Sequence, residues 1–173
     1  MNKTIFTIIL LILFYSASYS QNKVELYDFE FNPKFRSVQL DGSIGIWSKK
    51  IGGAIDYDLF SNRNKKNSWL SVGFRAGADV IMLSETSGDY SPVTHINGYA
   101  RTSIEGEIIR LDLYGGGAYQ FISKESTKAK NQMVLKGGLD LKFKISPYAG
   151  LLLNLGLSTG ESYFGLGIYI STK

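Results

Sequence analysis

The chain of 173 residues reads as all-β: an antiparallel up-and-down transmembrane β-barrel of eight strands. Three observations predict this. Apolar and polar residues alternate along most of the sequence, as they do where the two faces of a strand meet different surroundings. The alternating runs are roughly 9–14 residues long, closer to the ~9–11 of a tilted membrane-spanning strand than to the ~5–6 of a soluble one. Beyond the N-terminus no apolar stretch approaches the ~18 residues of a membrane helix, so entry into a membrane requires a closed barrel.

The first twenty residues have the layout of a secretory signal peptide. Lys3 supplies the positive start, Ile5 to Tyr15 an apolar run, and Ser18 and Ser20 the small residues before a cleavage site ahead of Gln21. Residues 21–36, in which Val24, Leu26, Phe29 and Phe31 break parity, read as an N-terminal periplasmic segment, with an extra strand over 24–31 as the alternative. The barrel domain is then 37–173.

The strands follow in order. Ser37–Trp47 sets Val38, Leu40, Ile44 and Ile46 against Ser37, Gln39, Asp41 and Ser43; Ser48-Lys49-Lys50 reads as a turn. Ile51–Phe60 opposes Ile51, Ile55, Tyr57 and Leu59 to Asp56 and Asp58. Trp69–Ile81 opposes Leu70, Val72, Phe74 and Val80 to Ser71, Arg75 and Asp79. Thr94–Glu105 opposes Ile96 and Ile104 to Asn97, Arg101 and Glu105, and Gly106-Glu107 turns the chain. Ile108–Phe121 opposes Leu111 and Leu113 to Arg110 and Asp112. Gln132–Ile145 opposes Leu135, Leu139 and Leu141 to Lys136, Asp140, Lys142 and Lys144. Tyr148–Ser158 carries leucines on one parity and Asn154 on the other. Ser162–Ile170 opposes Phe164, Leu166, Ile168 and Ile170 to Tyr163, Gly165, Gly167 and Tyr169.

Alternation alone fits both a membrane barrel, apolar outside, and a lipocalin-like ligand-binding barrel, apolar inside. The polar parity favours the first. It holds acids and bases in near balance, with arginine prominent, and arginine suits confined pairing with carboxylates. The same parity is rich in Gly and Ser, which fit the narrow lumen of an eight-stranded barrel beside long charged side chains. Unpaired buried charge is costly, so these groups are expected to pair and fill the lumen. The expected network comprises Asp56, Arg75, Asp79, Arg101, Glu105, Arg110, Asp112, Lys136 and Asp140. Arg101 or Glu105 should reach Arg110 or Asp112 across the short turn between their strands. Trp47, Trp69, Tyr90, Phe121, Tyr148 and Tyr163 fall near strand ends, where membrane proteins gather aromatic rings.

Other functions leave little trace. The net charge is only +4, and the basic clusters at Arg63, Lys65, Lys66 and at Lys124, Lys128, Lys130 read as solvated loops rather than a nucleic-acid face. The absence of cysteine excludes disulfides, thiolate metal sites and a lipid-anchored N-terminal cysteine. The one histidine, His95, lies where a loop from Met82 to Val93 meets a strand, and reads as a solvent-exposed loop residue. No nucleophile–base spacing or metal motif surrounds it, so the chain reads as non-enzymatic, without cofactor or metal.

Residues 37 to 170 resemble the small Gram-negative outer-membrane β-barrel superfamily that includes the OmpA transmembrane domain and OmpW-like proteins. The likeness rests on the export signal, the alternating strands and Gly-aromatic runs such as Leu113-Tyr114-Gly115-Gly116-Gly117-Ala118-Tyr119. The run Gly165-Leu166-Gly167-Ile168-Tyr169-Ile170 is similar to the C-terminal signal read by the barrel-assembly machinery, with Ser171-Thr172-Lys173 as a departure from it. The resemblance implies an outer-membrane protein in contact with lipid and lipopolysaccharide. With no catalytic or metal motif, the chain reads as having a structural or surface-interaction role, with a small-solute or apolar-ligand channel, or a soluble lipocalin-like ligand-binding barrel, as the alternative.

Overall fold

A computed structural model describes residues 29–45, 48–62, 70–84, 90–122, 131–159 and 161–172. The expected signal peptide, residues 21–28, Trp47, Trp69 and both basic clusters lie outside the described residues. Every long alternating run is a strand: β1 (Phe29–Gly45), β2 (Ser48–Asn62), β3 (Leu70–Ser84), β4 (Tyr90–Glu105), β5 (Ile109–Ile122), β6 (Gln132–Lys144), β7 (Ala149–Ser158) and β8 (Glu161–Ser171). Each pairs antiparallel with its neighbours in sequence, and β1 closes the ring on β8, with Val38 opposite Ile170 and Ile44 opposite Phe164. Closure leaves no unpaired sheet edge, the condition for a sheet to cross a bilayer.

The two parities face opposite ways, and exposure decides which is outside. Ile51 is 76% exposed, Leu135 75% and Leu166 63%, whereas Asp56 and Lys142 are 0% and Arg101 1%. Apolar side chains therefore ring the barrel and charges fill it, the reverse of a lipocalin-like carrier. The fold is an eight-stranded transmembrane-type barrel.

The structure departs from the sequence reading in several places. Strand β3 runs on to Ser84 and β4 starts at Tyr90, so residues 82–84 and 90–93 of the expected Met82–Val93 loop are strand. Strand β1 begins at Phe29 instead of Ser37, so residues 29–36 belong to the barrel wall and not to a separate segment. Its parity breaks because the register slips between Phe31 and Lys34 and again between Phe35 and Ser37. These bulges turn Arg36 and Ser37 inward in succession. Ser48-Lys49-Lys50, read as a turn, opens β2. Leu59, expected on the outer face, sits at a third bulge between Asp58 and Phe60, and Phe60 takes the outward position, 42% exposed.

Inward glycines make room where the wall and lumen crowd together. A Cβ on Gly73 would collide with the Tyr57 carbonyl on the neighbouring strand, and one on Gly138 would lie 2.5 Å from the Tyr114 hydroxyl. Gly138 thus clears the space that lets Tyr114 lie across the lumen.

Candidate functional site

The lumen holds a desolvated ion cluster near its middle. Arg75, on β3, is its hub. Its Nε donates to Asp56 Oδ1 at 2.6 Å, Nη1 lies 2.6 Å from Asp140 Oδ2, and Nη2 lies 3.3 Å from Asp112 Oδ2. One guanidinium thereby joins carboxylates from β2, β5 and β6, which its planar fork of donors permits and a lysine would not. The plane also stacks over Tyr114, 4.4 Å from the ring centre.

Asp112 is the anionic counterpart. Arg110 grips it through two parallel bonds, Nε at 2.7 Å and Nη2 at 2.9 Å. Lys142 Nζ approaches it at 2.8 Å and Asp56 at 2.7 Å. Ser103 donates to it at 2.5 Å, and Arg101 Nη1 stands 3.5 Å away while bonding Asp58 and Ser103. Asp140 accepts from Asn154 at 2.5 Å and Gln39 at 3.2 Å. At the rim, Glu105 bridges Arg36 and Lys144, the latter at 2.6 Å. Five cations (Arg36, Arg75, Arg101, Arg110, Lys142) thus meet five carboxylates (Asp56, Asp58, Asp112, Asp140, Glu105), and Lys144 is left at the partly exposed end.

A second group lies toward the end where β3 passes to β4. Lys136 Nζ contacts both oxygens of Asp79, at 3.0 and 2.9 Å, and Asn97 Nδ2 donates to Asp79 at 2.6 Å. Lys50 pairs with Asp41 at 3.1 Å. Between the groups is a polar cavity of about 30 Å³, lined among others by Gln39, Asp41, Asp79, Tyr99 and Tyr114. A water molecule needs roughly 10–15 Å³ of such space, so the cavity has room for ordered water.

Of the residues expected to form one network, Asp56, Arg75, Arg101, Arg110, Asp112 and Asp140 come together. Asp79 and Lys136 form the separate pair. Arg101 approaches Asp112, but Glu105 engages Arg36 and Lys144 and not Arg110 or Asp112. Asp58 and Lys142 were legible as inward by parity yet absent from the expected set. Arg36 was hidden by the bulge that turns it. Two expectations are corrected. His95 is a strand residue, 3% exposed, and not a solvent-exposed loop residue. Tyr163 faces the lumen, 8% exposed and beneath Lys50, and is not an interfacial ring. Phe121 and Tyr148 do lie outside, 42% and 54% exposed.

Serine hydroxyls of the lumen are directed at aspartates: Ser37 at Asp56, Ser43 at Asp41, Ser71 at Asp58 and Ser103 at Asp112. A serine nucleophile needs a base within hydrogen-bond reach, and both ring nitrogens of His95 contact other groups, Asp79 and Gln120. Among the described residues no cluster of three or more His, Asp or Glu has the arrangement of a metal site.

No family model matches the chain, and no curated protein does. Solved structures match its fold. A de novo designed transmembrane β-barrel aligns with a TM-score of 0.58 at 13% identity, over 82% of this chain and 98% of the design. The N-terminal β-barrel domain of Pseudomonas aeruginosa OprF gives 0.52 at 15%, over 80% and 97%. The Yersinia pestis outer-membrane protein Ail, in a phospholipid nanodisc, gives 0.51 at 12%, over 80% and 99%. The chain therefore has the fold of the small eight-stranded outer-membrane barrels.

Proposed function

We propose that this chain is a non-enzymatic outer-membrane barrel with a closed lumen, acting structurally or through the loops at its ends. One observation carries the reading: the interior of an apolar-ringed barrel is filled by mutually paired, fully desolvated charges. A cluster packed across the lumen in this way is expected to block a hydrated ion. It also contributes to uniqueness of the fold, because any shift of strand register would strand a charge in the lumen or in lipid.

In this reading residues 1–20 direct export, and the outer belt contacts membrane lipid and lipopolysaccharide. The strand β8 is recognised by the barrel-assembly machinery during insertion. The paired charges packed across the lumen count against a small-solute or apolar-ligand channel. The test is fractionation followed by planar-bilayer recording. The protein is expected with the outer membrane, migrating differently on gels before and after heating, and electrically silent when reconstituted. Recovery from the soluble periplasm would sink the membrane assignment. A large steady conductance would sink the closed lumen.

A further inference from the structure

The ion cluster ties β2, β3, β4, β5 and β6 to one another across the lumen, and Arg36 and Gln39 bring β1 into it. Below Glu161, β8 brings it no charge. The inward side chains there are Tyr163, Gly165, Gly167 and Tyr169. The Tyr169 hydroxyl is buried, and among the described residues it has no hydrogen-bond partner. The hold of β8 on β1 therefore rests on apolar packing and on the backbone ladder, which runs from Ser37 opposite Ser171 to Gly45 opposite Tyr163. At the upper end Ser48 on β2 adds a bond to Glu161 at 2.8 Å. The lower end has a fastening of its own.

Strand β1 outruns β8 there, continuing to Phe29 with β2 as its strand partner among the described residues. The register slip between Phe35 and Ser37 falls just past the last β1–β8 pair. In a regular ladder, successive residues bond to opposite edges of the strand. At the slip the carbonyls of Phe35 and Arg36 both meet Thr172, the residue after β8. Thr172 N donates to the Arg36 carbonyl at 3.1 Å, and Thr172 Oγ1 to the Phe35 carbonyl at 2.7 Å. Ser171 Oγ lies 3.0 Å from the carbonyl oxygens of both Arg36 and Thr172, and its one hydrogen serves either. On the other side Ser171 N donates to the Tyr148 carbonyl at 2.7 Å. A main-chain carbonyl left without a donor is costly, and here the β8 ladder has run out of donors.

We propose that Thr172 is a strap that locks the β1–β8 seam: its backbone N–H and its hydroxyl together take up the two carbonyls that the β1 bulge presents to β8. Any residue but proline supplies the N–H. The hydroxyl is the part that depends on the side chain, and a phenylalanine in place of Thr172 would leave the Phe35 carbonyl without its donor. The departure from the C-terminal signal at Ser171-Thr172 thus has a structural use. It fits the irregular lower end of β1, where a strand ending in regular register would have no second donor to offer. The strap acts where the ring is closed by the ladder alone, so its loss is felt at the seam before it is felt elsewhere.

The experiment follows backbone amide exchange, residue by residue, in the wild type, Thr172→Val and Thr172→Ser refolded into detergent micelles. Valine keeps the shape and the N–H and removes the hydroxyl; serine keeps both donors. In Thr172→Val the lower seam, Ser37 to Gln39 on β1 and Ile168 to Ile170 on β8, is expected to exchange roughly three- to tenfold faster, the effect of one neutral hydrogen bond. The β3–β4 ladder, from Leu70 opposite Ile104 to Ser84 opposite Tyr90, keeps its wild-type rates. Thr172→Ser matches the wild type at the seam. Refolding of Thr172→Ser but not of Thr172→Val gives the same answer. Unchanged seam exchange in Thr172→Val overturns the strap, as does a seam that serine leaves as fast as valine does. Equal acceleration of the seam and the β3–β4 ladder also overturns it, because the hydroxyl would then act on the barrel as a whole.

Discussion

A buried carboxylate held by several cations is worth more to the fold than any one of its bonds, because its loss strands all of them at once. Asp112 contacts Arg110, Lys142, Arg75 and Arg101 with no exposed surface. Asp112→Ala should therefore cost about 3–5 kcal/mol, the range for breaking a buried pair by removing one partner. Adding Lys142→Met, which removes one stranded ammonium while keeping its bulk, should recover part of that loss. Urea unfolding in lipid vesicles measures both, and additive losses in the double variant would show that the two groups do not interact. The same crowding governs Asn154, which alternation places on the lumen face. It is 2% exposed and donates to Asp140 and to Tyr114 at 2.8 Å, so an arginine there has neither room nor partner.

At the scale of the strand, the alternation carried most of what could be read. Side-chain period two fixes which residues share a face, so β3 through β8 and the inward set from Ser71 to Tyr169 followed from sequence order alone. The bulges did not, because an extra residue in one strand is defined only against its neighbour. Leu59 shows the consequence. Asp58 and Ser61 both face inward with Phe60 outward, so Leu59 is supernumerary to the alternation. Deleting it should leave Phe60 out and Ser61 in, and the variant should refold to the same heat-modifiable form. Deleting Ile55, which pairs regularly with Ala76, reverses the facing of one side of β2 and should abolish folding. Band shifts on unheated gels distinguish the two. Equal tolerance would show that the bulge has no role in setting the register. The pairing partners were illegible for a related reason. Gln39 bonds Asp140 across 101 residues of sequence, and only the closed ring brings β1 and β6 side chains together.

For the whole molecule, the consequence of the packed interior is electrical. Arg101 is 1% exposed and spans the lumen from β4 to Asp58 on β2 while lying beside Asp112 on β5. Arg101→Ala removes the guanidinium and most of its stem, opens a void among the remaining groups and frees Asp58 and Asp112 to bind water. Water that enters such a polar void finds the several partners that keep it there. A hydrated gap lined by surplus carboxylates then admits cations. Lys144 offers the contrast, since it is about a quarter exposed at the rim and its partner Glu105 also holds Arg36. In planar-bilayer recordings the wild type and Lys144→Ala should be silent, and Arg101→Ala should show cation-selective current steps or an unstable baseline. If the buried variant is as silent as the rim variant and equally stable to urea, the arginine is not what closes the barrel, and the seal must lie elsewhere along the lumen.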